Sequence, residues 1–78
     1  MIVLKDLLQD IAKSLVNKPE EVVILETVEG DDVTFELSVA EEDMGKIIGR
    51  HGRIAKAIRT VMKAAANSEG KRVTVEIK

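Results

Sequence analysis

Apolar residues recur along residues 3–16 at Leu4, Leu7, Leu8, Ile11 and Leu15. The spacing i, i+3, i+4, i+7, i+11 sets them on one stripe of a helix, with polar residues between. Asn17 and Pro19 end that pattern. The next run, "EVVILETVE", is rich in β-branched residues and stops at Gly30-Asp31-Asp32. "DVTFELSVA" then alternates: Val33, Phe35, Leu37 and Val39 fall on one side, Thr34, Glu36 and Ser38 on the other. Two such runs around a short Gly/Asp turn predict a hairpin with one face buried and one wet.

A short helix is expected over "AEEDMGKIIG", with Glu41, Glu42 and Asp43 in its first turn, where acids suit the helix dipole. Gly49 stops it. Residues 53–66, "RIAKAIRTVMKAAA", carry a second helical pattern. Ile54, Ile58, Val61 and Ala65 are expected to face the core. Arg53, Lys56, Arg59 and Lys63 share the opposite side, within about one third of the circumference at 3.6 residues per turn. "NSEG" breaks the helix, and "KRVTVEIK" alternates again, with Val73, Val75 and Ile77 inward. The order is α-β-β-α-α-β. It predicts a two-layer α+β fold: a three-stranded mixed sheet with helices packed on one face. Residues 1–78 are expected to form one domain, since a chain of this length builds one core at most.

Charge changes this picture more than composition does. The net charge of −2 argues weakly against a polyanionic partner. The distribution argues the other way. Residues 1–43 hold twelve acids and three bases, whereas residues 44–68 hold six bases and no acid. A positive pole of this kind steers anions whatever the net charge. There is no cysteine, which removes disulfides and thiolate metal sites. Lys5, Asp6 and Asp10 interrupt the first apolar pattern, which is wrong for a signal peptide, so a cytoplasmic protein is expected. No apolar run approaches the length of a membrane span.

At the centre of the positive pole stands "KIIGRHGRIAKAI", residues 46–58. A P-loop is rejected, because no Lys-Ser/Thr closes the glycine run and a helix rather than a strand precedes it. The dinucleotide fingerprint fails on spacing. Catalysis lacks partners: His51 is the sole histidine, and the nearest acid in sequence is Asp43. One histidine and scattered acids do not build a metal site either. No enzyme activity, metal or cofactor is expected. Anion binding remains. A helix starting near Arg53 offers N–H groups and a partial positive charge, and Gly49 and Gly52 let a phosphodiester chain approach the backbone. The plainer alternatives are a tight helix–helix turn and an ordinary solvated basic face.

"IIGRHGRIAKAI" resembles the G-x-x-G signature of the K-homology (KH) RNA-binding domain. The element order is similar to its type II, prokaryotic arrangement, over the whole chain. A stand-alone domain of this size looks most like the small bacterial KhpA family. The resemblance implies that Gly49, Arg50, His51 and Gly52 contact the sugar-phosphate backbone of about four single-stranded nucleotides. Lys46 and Arg53 flank that loop. Ile47, Ile48 and Ile54 would form the apolar floor of a groove and its support. Its walls would be the two helices, through Lys56, and the last strand, from Arg72. Phe35 is the single aromatic residue, which suits such a groove and not a base-stacking platform. The short "NSEG" loop suggests broad specificity, as in an RNA chaperone or post-transcriptional regulator.

The rival reading is a protein-interaction module. Ala55, Ala57, Met62, Ala64, Ala65 and Ala66 give residues 53–66 more small apolar surface than a lone helix needs. Self-association through that helix is the corresponding expectation. The resemblance also implies a homodimer and pairing with a larger KH-containing protein.

Overall fold

The computed structural model describes residues 3–78. The elements are α1 (Leu4–Leu15), β1 (Val23–Glu29), β2 (Asp32–Ser38), α2 (Met44–Ile48), α3 (Arg53–Ser68) and β3 (Arg72–Ile77). Short 3-10 turns fill three of the connections: Pro19–Glu21, Glu41–Asp43 and Arg50–Gly52. The strands form one sheet in the order β1-β2-β3, with β1 antiparallel and β2 and β3 parallel. This is the expected α-β-β-α-α-β arrangement, mixed sheet included.

The hairpin follows from its turn residues. Only Gly30 and Asp31 separate the paired residues Glu29 and Asp32, and Gly30 has φ 60°. A two-residue loop that matches strand twist needs positive φ, which glycine takes without steric cost. The alternation of β2 sends Val33, Phe35 and Leu37 to the helix side, where all three are buried. Leu8, Ile47 and Met62 meet them from the helices, and Phe35 and Leu37 are sealed completely. Full burial of each such side chain is worth about 1.5–3 kcal/mol.

On α3 the buried face is rotated from the expected one: Ile58 is buried and Ile54 and Ala65 pack half-buried against the core, as expected, but Val61 does not. Ala55, Ile58, Met62 and Ala66 are buried, while Val61 is 46% exposed. At 100° per residue, Val61 lies roughly 100° from the centre of the buried set. The small residues Ala55 and Ala66 let α3 sit close to its neighbours, so the helix rolls toward them and leaves the larger Val61 outside. Ala57 and Ala64 are exposed as well. The surplus of small apolar surface is therefore real but narrower: Ala57, Val61 and Ala64.

The acids before α2 also behave differently from expectation. Glu41, Glu42 and Asp43 form a 3-10 turn of their own, and no side chain caps α2. The Asp43 carboxylate is wholly buried and turns back toward the end of α1. It accepts hydrogen bonds from the backbone N–H groups of Asn17 (3.2 Å) and Lys18 (3.0 Å). Burial works against the charged carboxylate. Those two N–H groups, together with the Lys46 ammonium at 3.6 Å, still hold its pKa below the ordinary value of 3.8. Asp43 thus ties the turn after α1 to the start of α2.

Candidate nucleic-acid interface

α2 ends because Gly49 leaves the helical region, at φ 74° and ψ 175°, as its N–H donates to Gly45 O (2.8 Å). A 3-10 turn over Arg50–Gly52 reverses the chain into α3. Three of its four loop positions have positive φ: Gly49 (74°), His51 (57°) and Gly52 (73°). His51 is the sole non-glycine residue in that region among those described. The two glycines are needed for different reasons. A Cβ on Gly49 would overlap the Ile54 side chain and approach its backbone nitrogen to 2.9 Å, so this position admits no side chain at all. A Cβ on Gly52 would meet nothing within 4 Å. Gly52 therefore keeps the outside of the loop open rather than the inside.

The turn uses some of the donors that an isolated helix start would offer. Gly52 N–H donates to Gly49 O (3.1 Å), and Arg53 N–H donates to Arg50 O. The side chains and the dipole of the 16-residue α3 consequently carry more of the attraction for anions than free N–H groups do. Arg50, His51 and Arg53 are exposed around the loop, and no acid lies in the first turn of α3.

A groove of about 260 Å³ continues along α3 between that helix and β3. Lys56, Arg59, Thr60 and Lys63 line it from the helix, and Val73, Thr74 and Val75 from the strand. Arg59 spans the two sides, with Nε donating to Val75 O at 3.2 Å. The groove joins an apolar strand wall to a row of cations, with the loop near one end through Lys56.

The expected site residues fall into three groups. Gly49, Arg50, His51 and Gly52 form the turn and Arg53 opens α3, Lys56 follows one helical turn later in the groove lining, and Ile48, 40% exposed, precedes the turn. Ile47 is completely buried and supports α2 from beneath, so the floor it helps to build is internal. Lys46 lies beside the loop with its ammonium on Asp43. Arg72 stands apart. It begins β3, and its Nε pairs with Asp32 Oδ1 at 2.6 Å, outside the groove lining. Lys56, already expected, is joined by Thr60 and Thr74, which sequence reasoning did not single out. Thr60 follows Lys56 by one helical turn and could have been found by that spacing. Thr74 had no such signal, because its place depends on which strand lies beside α3. Asp43 was legible as an acid and illegible as an anchor, since its partners lie 25 and 26 residues away. Among the described residues no cluster of three or more His, Asp or Glu side chains could hold a metal ion, and no helix is long and apolar enough to cross a membrane.

The comparisons with known proteins agree with one another. The model of the KhpA/KhpB KH domain matches residues 5–77. The RNA-binding protein KhpA of Clostridium acetobutylicum is 61% identical over 74 residues, covering 95% of this chain and 99% of that one. Its counterparts in Clostridium perfringens and Listeria monocytogenes are 58% and 45% identical over the same length. Among solved structures, Era in complex with MgGDPNP and nucleotides 1506–1542 of 16S ribosomal RNA superposes with a TM-score of 0.69 at 20% identity. The match covers 95% of this chain and 28% of that one, and it concerns the fold alone.

Proposed function

The chain belongs to the KhpA/KhpB family of KH domains, and from that membership we propose that it binds single-stranded RNA through the Gly49–Gly52 loop and the α3–β3 groove. The observation that carries this reading is that the groove lining begins at Lys56, one helical turn after the loop. A loop cleared of side chains at Gly52 and flanked by Arg50, His51 and Arg53 precedes a helix whose Lys56, Arg59 and Lys63 edge the groove. The spacing of cations along α3 suits a chain of phosphates, and the aliphatic wall of Val73 and Val75 suits bases laid against it. With Glu69-Gly70-Lys71 as the whole connection between α3 and β3, few side chains are available to read base edges. A broad-specificity RNA chaperone or post-transcriptional regulator, acting in the cytoplasm as a single KH unit over residues 1–78, fits that economy. The relatives are named as RNA-binding proteins, and the reading needs no catalytic step.

The experiment is direct. Arg50→Asp with His51→Asp puts two negative charges on the loop while leaving both glycines. Aspartate tolerates the left-handed conformation that position 51 adopts. Fluorescence anisotropy with a labelled single-stranded RNA should show at least a roughly tenfold loss of affinity, with an unchanged thermal melt. Unchanged affinity in the folded variant would rule out this loop as the binding site.

A second reading is favoured by the exposed strip Ala57, Val61 and Ala64 on α3. Small side chains permit close helix approach, so the same helix that faces RNA on its basic side would pair with a second copy or with a larger KH-containing protein on its small apolar side. The two faces are adjacent and do not overlap, and both functions can coexist.

A further inference from the structure

Among the described residues β1 is paired only with β2, so one row of its backbone N–H and C=O groups is left open along seven residues. Three large apolar side chains stand exposed on it: Val23 at 51%, Leu25 at 59% and Val28 at 55%. The other sheet edge, β3, is different, because it forms a wall of the groove and gives its Val75 carbonyl to Arg59.

Open edges are ordinarily blunted by charged side chains, lysine above all, by a proline or by a bulge. β1 has no lysine, proline or bulge. Its pairing with β2 runs unbroken from Val23–Ser38 to Glu29–Asp32. The charges it does carry are Glu26 and Glu29, which form no ion pair with the described residues. They lie in the most acidic part of the chain, since residues 19–45 contain ten acids and no base. Glu20 and Glu21 precede β1, and Asp31 follows it in the hairpin turn.

We propose that the β1 edge is a docking site for an extended, lysine- or arginine-bearing segment of a partner protein, which adds to the sheet as a fourth strand. Main-chain hydrogen bonds supply the attraction in this mode, and side chains at alternate positions supply the selectivity. Val23, Leu25 and Glu29 lie on the sheet face away from the helices, and Glu26 and Val28 on the helix side with the inward row of β2. A matching segment therefore alternates, with apolar residues on the face of Val23 and Leu25 and basic residues on the face of Glu26. A second copy of β1 is a poor occupant. Self-pairing brings together two edges that hold Glu26 and Glu29 and no base, so neither acid gains an opposite charge, and the register centred on Glu26 sets like charges directly opposite. RNA is repelled by the same acids that favour a basic peptide. β1 and β3 are opposite edges, so the docked segment leaves the α3–β3 groove free.

The test uses the isotopically labelled full chain and a synthetic peptide of about nine alternating lysine and valine residues, matched to a strand length. Two controls accompany it: the same peptide N-methylated at every residue, which has no amide N–H left to donate along either edge, and its glutamate-for-lysine counterpart. The proposal expects amide shifts and slowed solvent exchange centred on residues 23–29. It expects binding about tenfold tighter than that of the N-methylated peptide, and none by the acidic one. Glu26→Lys, at an exposed position, should abolish binding in a chain whose thermal melt and RNA affinity are unchanged. Equal binding of the N-methylated peptide, shifts on another face, full binding by the Glu26→Lys variant, or no binding at about 1 mM would each overturn it.

Discussion

Gly49 and Gly52 belong to one motif and do different work. At Gly49 a methyl group would both strain a φ of 74° and press into Ile54. At Gly52 it would strain a φ of 73° and otherwise enter open space. The left-handed conformation of Gly52 costs a non-glycine residue about 1–2 kcal/mol, and the region Gly49 occupies, with ψ 175°, is open essentially to glycine alone. Gly49→Ala should therefore lower thermal stability by clearly more than Gly52→Ala. Gly52→Ala should remain folded and lose RNA affinity, because its methyl group occupies the space left for a phosphodiester chain. Melting curves with anisotropy on both variants check this. Asp43 acts through a different property, its charge. Its pKa is held below the ordinary 3.8 in the folded chain, so its ionised form contributes stability above that value. The contribution is lost as pH falls through the lower, folded-state value. Asp43→Asn should lower the melting temperature at neutral pH, and the gap to the parent should close in melts run at progressively lower pH below about 4.

Among the elements, α3 carries most of the proposed interface. Its sides divide into a core face (Ala55, Ile58, Met62, Ala66), a basic face along the groove (Lys56, Arg59, Lys63) and a small apolar face (Ala57, Val61, Ala64). One helix of sixteen residues accommodates all three because its circumference is shared among roughly 120° sectors at 3.6 residues per turn. The apolar sector makes a separable prediction. Val61→Lys places a charge at an exposed position and should leave the fold and the RNA groove intact. Sedimentation at tens of micromolar should then show a monomer where the parent chain self-associates. A parent that sediments only as a monomer would remove the self-association reading and leave the RNA reading untouched.

At the scale of the whole molecule the charges are segregated. The acidic residues gather in the N-terminal half, which contributes α1, β1 and β2, and the bases in the loop and α3. Net charge of −2 hides this polarity. Binding driven by phosphate contacts weakens linearly in log salt, with a slope of about −0.7 per neutralised phosphate for single strands. Lys56→Ala with Arg59→Ala should reduce the magnitude of that slope by roughly one unit in a salt titration of RNA affinity. An unchanged slope would mark the basic face as solvated rather than bound. The opposite pole, along β1, is where a basic protein segment rather than RNA finds its complement.

The periodicities by themselves determined the element order, the hairpin, the inward set of β2 and β3, and the basic loop between two helices. These are local properties: the 3.6- and 2-residue repeats, the turn residues and the unbroken acidic and basic runs are all written within short windows. Tertiary contact decided the rest. The roll of α3 that exposed Val61 depends on how closely Ala55 and Ala66 approach their neighbours. Asp43 became an anchor because the end of α1 passes beside it. Thr74 and Val75 became groove wall because β3 runs parallel to β2 on the side where α3 lies, while Arg72 was drawn to Asp32 instead. The openness of β1 likewise follows from the strand order β1-β2-β3. A repeat tells each residue which side of its own element it occupies. Only packing tells it what stands opposite, and that is where the site acquires its walls.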